Sequence, residues 1–150
     1  MTPRYRRLDA LEPSGLERAE ALLIADARAF ARAGEALEPL ADRAIDPARR
    51  LWVAELDGAI VGILDAVLDH PLPGTLTVAA IAVLPSLRRR GVGRALIIAA
   101  RAEVQAERGG APHLGAGVHE DNWVARAFFA RLGFVERTVE DEVVWMGAED

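Results

Sequence analysis

The 150-residue sequence predicts a single α/β domain, with a mixed, mainly antiparallel central sheet of about seven strands and about four helices on both faces. Two observations predict this class. Apolar runs of strand length are interspersed with segments whose apolar residues recur at helical spacing. The composition, 51% hydrophobic and 27% charged, is typical of a chain that can bury one core. No repeat, linker or break in composition divides the chain, so residues 1–150 are interpreted as one domain.

The N-terminal third is predicted to supply one strand and two helices. Residues 4–10 can form the first strand. Ser14 and Glu17 match a capping box, which predicts that a helix begins there and continues to about Arg32. Residues 37–44 follow as a short second helix.

Three strands are predicted next, and a tight turn joins the first two. Residues 51–55 and 59–68 flank Asp57-Gly58, a pair typical of two-residue hairpin turns. Residues 76–84 read "LTVAAIAVL", a nearly continuous apolar run that indicates a buried strand.

The C-terminal half is predicted to alternate helix and strand and to end in two strands. Asp121 or Asn122 can cap the last helix, and Gly133 follows it as the usual left-handed C-terminal residue. The predicted ranges are a helix over 93–107, a strand over 113–118, a helix ending at 132, and strands over 134–139 and 142–146.

Composition excludes several classes of function. The chain has no cysteine, which excludes disulfides, thiolate zinc sites and a cysteine nucleophile. No His, Asp and Glu residues have the short spacing of a metal site, so no metal is expected. The formal net charge of −5 argues against nucleic-acid binding and mildly favours a cationic small amine as partner. Prolines interrupt the longest uncharged stretch and no targeting signal is visible, so we expect a cytoplasmic protein that does not enter a membrane.

An arginine-rich turn is the strongest local signal. Residues 88–95 read "RRRGVGRA" and lie between a predicted strand and a predicted helix. The first turn of a helix has unpaired N–H groups and a partial positive charge, and glycines let an anion approach them. The sequence therefore predicts a phosphate site. A Walker loop is excluded because the chain has no lysine, and Leu96 stands where a dinucleotide fingerprint needs its third small residue.

Two blocks of the sequence resemble the GNAT superfamily of N-acetyltransferases. The segment "IAVLPSLRRRGVGRALI" is similar to its acetyl-coenzyme A motif, Arg/Gln-x-x-Gly-x-Gly/Ala after a strand ending in Val-x-Pro; the matching residues are Val83, Pro85, Arg88, Gly91 and Gly93. About thirty residues later, "NWVARAFFARLGF" resembles the second conserved block; the matching residues are Asn122, Ala125, Phe128, Gly133 and Phe134.

The resemblance implies a fold, a cofactor and a reaction. Strands 4 and 5 are expected to splay apart and to admit the pantetheine arm of acetyl-CoA, the co-substrate. The implied activity is transfer of an acetyl group to a primary amine of a small molecule or peptide, by direct attack in a ternary complex. Similar proteins are commonly dimers, so a homodimer is possible. The implied cofactor-binding residues are Ile81, Ala82, Val83, Arg88, Arg89, Arg90, Gly91, Val92, Gly93, Arg94, Asn122, Ala125, Phe128 and Phe129.

The residues expected for proton transfer depart from the family pattern. Phe129 stands where a tyrosine often protonates the leaving thiolate, and the usual positions of a glutamate base hold alanine (Ala79, Ala80) or glycine (Gly117). His119 and Glu120, which follow the fifth strand, are candidate bases. The alternative interpretation is an acyl-CoA-binding module with little or no transferase activity; a nucleotide-binding fold of the Rossmann type is a more distant one.

Several other residues receive structural interpretations. Asp69 and His70 are further candidates for the missing base, but they are interpreted as loop residues, and Trp123 is interpreted as exposed on the last helix. Asp65 lies within an apolar strand, where it can be either buried with a partner or turned to water. The remaining large aromatic residues are interpreted as core: Phe30, Trp52, Phe134 and Trp145.

Overall fold

A computed structural model describes residues 2–26 and 39–148. Within these ranges seven strands form one sheet in the order β1-β2-β3-β4-β5-β7-β6. The pair β4 and β5 is parallel, and the other neighbouring pairs are antiparallel. The strands are β1 (Arg4–Arg7), β2 (Arg49–Leu56), β3 (Ala59–Leu68), β4 (Thr75–Val83), β5 (His113–His119), β6 (Phe134–Glu140) and β7 (Val143–Ala148). The α-helices are α1 (Pro13–Ala25), α2 (Leu40–Ala44), α3 (Val92–Arg108) and α4 (Trp123–Arg131).

The predicted start of α1 is wrong. Ser14 lies inside the helix, which begins at Pro13, and Glu12 occupies the N-cap position without a side-chain capping bond. Proline has no N–H to satisfy and its φ suits the first helical turn, so it can begin the helix without a capping hydroxyl. The Glu12 side chain instead accepts hydrogen bonds from Arg6 and from the backbone N–H of Asp9. The predicted end near Arg32 lies outside the described residues.

The hairpin between β2 and β3 forms as the Asp-Gly pair predicts. Asp57 and Gly58 have φ values of 52° and 80°, so both residues are in the left-handed region that a two-residue turn of this kind needs. A short turn of this geometry fixes the register of the two strands, and it places Asp65 opposite Leu51.

Helices cover both faces of the sheet, as predicted. Helices α1 and α2 pack over one face, where Leu16, Leu23 and Leu40 meet apolar residues of β2, β3 and β4. Helices α3 and α4 pack over the other face, where Leu96 and Phe129 belong to the larger core. Phe134 is buried in that core, whereas Phe30 lies outside the described residues. None of the helices in the described ranges is long and apolar enough to cross a membrane.

Strands β4 and β5 diverge halfway along their length, which confirms the predicted splay. Their pairing runs from Thr75 opposite His113 to Val78 opposite Ala116 and ends there. At the same level the register between β3 and β4 shifts, so that Ala79 is an extra residue without a partner on β3. Because a bulge bends and twists its strand, Ala79 marks the point where β4 turns away from β5.

Candidate active site

The turn before α3 has the backbone conformation of an anion site. A short 3-10 helix (Pro85–Leu87) follows β4, and Arg89 and Gly91 then adopt φ values of 63° and 80°. Gly91 is the N-cap of α3, and a Cβ atom built on it would touch nothing within 4 Å. Glycine is therefore favoured at position 91 by its left-handed conformation and not by lack of space.

The first turn of α3 presents unpaired donors. The N–H of Ala95 donates to the Gly91 carbonyl and makes the first bond of the helix, so the preceding N–H groups of the helix have no intrahelical acceptor. Arg89, Arg90 and Arg94 are exposed around these groups. The turn thus combines oriented N–H groups, the positive end of a 17-residue helix and exposed cationic side chains.

Arg88 differs from its neighbours because its guanidinium already has partners within the protein. Its Nε donates to the Val83 carbonyl at 3.2 Å, and its Nη2 donates to Asp26 Oδ2 at 2.8 Å. Arg88 therefore ties the end of β4 to the end of α1. We infer that it shapes the turn and that the exposed arginines, and not Arg88, are placed to meet a phosphate.

Gly93 serves packing between helices. It is buried, and an added Cβ would lie 3.0 Å from Cζ of Phe128 and 3.5 Å from Cδ1 of Ile81. The Phe128 ring thus rests on the first turn of α3, where a side chain at position 93 would collide with it. Val92, its neighbour, is buried in the main core.

The second sequence block holds α4 in place. The Asn122 side chain accepts a hydrogen bond from the Ala125 N–H at 3.1 Å, so Asn122, and not Asp121, is the N-cap. Phe129 is only 1% exposed, and its ring packs against Phe128 and Phe134 with centroids 5.1 and 5.2 Å apart. Phe129 is therefore a core residue in this chain. Trp123 is 66% exposed, in agreement with its interpretation.

The edge of β4 beyond the bulge carries free main-chain groups toward β5. The N–H of Leu84 donates to Val61 of the β3 side, and main-chain groups alternate in direction along a strand. Ile81 and Val83 therefore direct their N–H and carbonyl groups away from β3 into the gap, where the Val83 carbonyl already accepts from Arg88 Nε, while Ala82 directs its own toward β3 and is buried under α1. Main-chain groups of Ile81 and Val83 can hydrogen-bond to an extended ligand in the gap. The N–H and carbonyl of Ala82 point toward β3, so Ala82 can make only van der Waals contact with such a ligand.

A cavity of about 210 Å³ opens where the two strands separate. Gly117 and Trp145 face each other across the β5–β7 pair and form one wall of the cavity. Its lining residues are Arg49, Val67, His70, Thr77, Val78, Ala79, Gly117 and Trp145. The cavity adjoins the inner end of the gap between β4 and β5, and a concave site of this kind can hold a small ligand.

Two of the residues around this cavity, Trp145 and Arg49, were not expected from the sequence to be functional, and a third, His70, was a candidate base interpreted as a loop residue. Trp145 is half-buried beside the cavity and not enclosed in the core. His70 comes from the loop after β3, and its carbonyl accepts a hydrogen bond from the Thr77 hydroxyl. Arg49 begins β2. The glycine at position 117 was a usable signal, since a Cβ there would lie 2.7 Å from Trp145 Cζ3.

Asp65 is the buried member of a charged cluster next to the cavity. Its side chain is 0% exposed and accepts from Arg43 Nη1 at 2.8 Å and from Arg49 Nη1 at 3.2 Å to each oxygen. Of the two interpretations that the sequence left open, the structure shows the paired one. A buried carboxylate needs such partners, since removing an unpaired charge from water is costly.

His119 and Glu120, the candidate bases, follow the cavity-lining Gly117 by two and three residues at the C-terminal end of β5. Nδ1 of His119 is 3.2 Å from the N–H of Asp121, and Nε2 is 3.5 Å from a carboxylate oxygen of Glu142. A neutral imidazole has one acceptor nitrogen, which the Asp121 N–H already occupies. The Glu120 backbone bonds to Glu142 and to Arg126. Neither residue lines the cavity.

Asp69 fixes the loop that carries His70. Its carboxylate accepts two hydrogen bonds from Arg108, at 2.9 and 2.8 Å, and one from the Gly74 N–H at 2.8 Å. The bonds from Arg108, followed by the bond from Gly74, lower the pKa of Asp69 to about 2. The loop is thereby attached to the C-terminal end of α3.

Comparison with known proteins decides the family. Residues 16–134 match the profile described as the acetyltransferase (GNAT) family. The chain belongs to the GNAT family of acetyltransferases. Its enzyme class is therefore that of an acyltransferase, and the resemblance drawn from the two sequence blocks is confirmed.

Individual GNAT relatives agree with this assignment. The chain is 34% identical over 145 residues to mycothiol acetyltransferase from Frankia alni, a match covering 86% of this chain and 43% of the relative, so it spans less than half of that protein's length. The crystal structure of nourseothricin acetyltransferase is 26% identical, with a TM-score of 0.69 and coverage of 99% and 98%. PaiA N-acetyltransferase from Thermoplasma acidophilum, solved in complex with coenzyme A, has a TM-score of 0.72 at 15% identity, with full coverage of both chains.

The described residues show no metal centre. Among residues 2–26 and 39–148, no three His, Asp or Glu side chains come close enough to hold a metal ion.

Proposed function

We propose that this GNAT chain is a single-domain N-acetyltransferase that transfers the acetyl group of acetyl-CoA to a primary amine. One observation carries the proposal: the divergence of β4 and β5 beyond Val78 and Ala116 connects the anion-binding turn at one end to the cavity at the other. A long ligand with phosphates at one end and a reactive acyl group at the other fits this arrangement.

The residues present fit coenzyme A. The N–H groups of the turn and of the first turn of α3 would hold the pyrophosphate, and Arg89, Arg90 and Arg94 would supply charge-assisted contacts. The main-chain groups of Ile81 and the N–H of Val83 would pair with the amides of the pantetheine arm, beside the Val83 carbonyl that Arg88 engages. Bound in this direction, acetyl-CoA supplies a thioester whose carbonyl carbon accepts the amine.

The reaction balances without a covalent enzyme intermediate. The amine nitrogen bonds to the acetyl carbon, the bond from that carbon to sulfur breaks, and the amine loses one proton while the thiolate gains one. Positioning two substrates side by side supplies much of the acceleration. A main-chain N–H of β4 that faces the gap can stabilise the negative charge that develops on the carbonyl oxygen.

His70 is our candidate for the group that removes the amine proton. It lines the cavity, and no hydrogen bond engages its ring nitrogens among the described residues. Imidazole is the side chain best suited to exchange protons near neutral pH. His119 and Glu120 do not line the cavity, and His119 Nδ1 already accepts a hydrogen bond from the Asp121 N–H, so we place them second.

The cofactor site is tested by CoA affinity. We expect Arg89→Glu/Arg90→Glu to weaken CoA binding by about 10- to 100-fold, because charged hydrogen bonds to phosphate are replaced by repulsion. Arg4→Glu/Arg131→Glu is the matched control, since it changes net charge equally at two exposed arginines on other parts of the surface. Isothermal titration calorimetry provides both values. An equal loss of CoA affinity in the two double variants would contradict a local phosphate site.

The reaction is tested by thiol release. Free CoA is measured over a panel of small amines and peptide N-termini, with wild-type protein and with His70→Gln. We expect turnover with at least one amine, and a loss in kcat without a matching rise in KM for His70→Gln. Tight CoA binding without turnover on any amine would instead support the acyl-CoA-binding module. An unchanged kcat in His70→Gln would remove that residue from proton transfer.

A further inference from the structure

The acceptor cavity is cationic, although the chain as a whole is acidic. Its polar lining consists of one arginine, one histidine and one threonine hydroxyl, and no carboxylate of the described residues lines it. A site built for an acceptor with several positive charges would place carboxylates around it. The charge of Arg49 therefore helps to determine which class of amine fits the cavity.

Arg49 is held in a fixed position with part of its guanidinium unused. Nη1 donates to both oxygens of Asp65 at 3.2 Å, and the side chain is 15% exposed. The Nε and Nη2 donors have no hydrogen-bond partner among the described residues. A guanidinium held along one edge and open along another can receive a planar carboxylate with two parallel hydrogen bonds.

Asp65 does not cancel the positive charge at the cavity. Its carboxylate is shared with Arg43, whose Nη1 lies closer to it, at 2.8 Å, and whose side chain is only 1% exposed. Arg49 is the member of this cluster that reaches the cavity. Two guanidinium groups bound to one carboxylate leave the cavity with a positive potential.

We propose that the acceptor is a small amine that also carries a carboxylate, and that Arg49 binds this carboxylate. The inference rests on the proposed acetyl transfer and names the substrate class for the same site. Arg49 would hold one end of the acceptor and leave its amine near Ala79 and Gly117, where the gap between the strands opens. The nearby cation also favours the uncharged form of the amine, which is the form that attacks.

The volume of the cavity favours a small acceptor. A volume of about 210 Å³ is below the range of roughly 300–1,000 Å³ usual for sites that hold drug-sized ligands. Trp145 supplies an aromatic wall opposite the polar groups, against which an apolar part of the acceptor can pack. An α-amino acid or a short amino acid derivative has these properties.

The experiment compares amino acids with the amines that remain when the carboxylate is removed: phenylalanine with phenethylamine, and leucine with isopentylamine. We measure kcat/KM by CoA release at saturating acetyl-CoA. The wild-type enzyme is expected to prefer the amino acid in each pair by roughly 10-fold or more. Arg49→Gln is expected to reduce kcat/KM for the amino acids roughly 10- to 100-fold, mainly through KM, and to leave the decarboxylated amines nearly unchanged.

Arg50→Gln is the matched control. Arg50 is the next residue of β2, but its side chain points to the opposite face and pairs with Glu103 and Glu107 of α3. It should retain the wild-type preference. Because each preference is a ratio measured on one enzyme preparation, a partly unfolded variant does not distort it. Arg49→Lys keeps the charge and loses the planar fork, and we expect it to restore part of the preference.

The outcomes separate the two proposals. Turnover of the decarboxylated amines at or above the rate of the amino acids would overturn the assignment of Arg49 and leave acetyl transfer intact. A loss in Arg49→Gln that is equal for both members of a pair would also overturn it, and would identify Arg49 as a structural partner of Asp65. No turnover with either member, despite CoA binding, would count against the proposed function itself.

Discussion

Replacing Gly117 by alanine tests how the central strand forms the acceptor cavity. A Cβ at position 117 would lie 2.7, 3.0 and 3.1 Å from three carbons of the Trp145 ring, while ordinary van der Waals contact begins near 3.4 Å. The ring must therefore move. Because Trp145 lines the cavity, its displacement changes both packing and acceptor binding.

The expected cost follows from two opposing effects. Overpacking of a well-packed site costs about 1–3 kcal/mol. Replacing glycine within a strand returns about 0.5–1 kcal/mol, because alanine loses less backbone entropy on folding. From the middle of each range, we expect Gly117→Ala to lower the free energy of unfolding by about 1 kcal/mol, a shift of the urea midpoint of roughly 0.5 M.

The assay is equilibrium urea unfolding, accompanied by CoA affinity and the KM of the acceptor. The KM of the acceptor should rise by a larger factor than the Kd of CoA, since Trp145 lines the cavity and does not belong to the turn before α3. Gly147→Ala is the matched control, because the nearest atom there is 3.3 Å away at the flexible end of Arg137. Trp145→Leu should relieve the collision, so that the two substitutions at 117 and 145 together cost less than their sum.

Two results would refute the reasoning. If Gly117→Ala is as stable as the wild type and retains its acceptor KM, the ring is not confined against the strand. If the loss of stability is the same with tryptophan or leucine at position 145, the cost arises from the strand backbone and not from the ring.

Two further predictions concern the loop of His70 and the start of α3. The pKa of Asp69 is lowered to about 2 by Arg108 and Gly74, so its stabilisation is complete above the usual value of 3.8 and is lost as the pH falls toward 2. Asp69→Asn should therefore flatten the decline of unfolding free energy between these pH values; urea unfolding at several pH values checks this, and an unaltered decline would contradict it. Gly93→Ala should destabilise by up to about 2 kcal/mol, because overpacking against Phe128 outweighs the helix propensity of alanine. Thermal and urea unfolding measure this loss, and a variant as stable as the wild type would show that the ring gives way easily.

The sequence predicted the elements better than it predicted the side chains that meet. The bounds of β3 and the turn at Asp57 and Gly58 follow from local chemistry, because a hairpin is specified by its own residues. The predicted start of α1 is wrong because Ser14 and Glu17 match a capping box, whereas the helix begins one residue earlier, at Pro13. Asn122 could be identified as a cap candidate because capping involves residues only three apart.

The cofactor end and the acceptor end of the site differ in how far the sequence reveals them. The residues of the turn at Arg89 and Gly91 are adjacent in the sequence, so a short motif is enough to predict an anion site there. The cavity combines residues from β2, β3, β4, β5 and β7, and its shape depends on an unpaired residue at Ala79 that shifts the facing of β4. Arg49 binds Asp65, which is sixteen residues away in the sequence, and it also lines the cavity with Trp145. No pattern within a single segment of the sequence predicts either contact.

Net charge is a poor guide to the acceptor for the same reason. The formal charge of −5 favoured a cationic amine, yet a charge more than about 10 Å away is largely screened at 0.1 M ionic strength. Charges that act on the acceptor are those at the cavity, and there the described residues contribute Arg49 without an accompanying carboxylate on the lining. An acidic surface and a cationic cavity are therefore compatible. The proposal predicts that substrate choice follows the cavity, with Arg49 selecting the carboxylate of the acceptor.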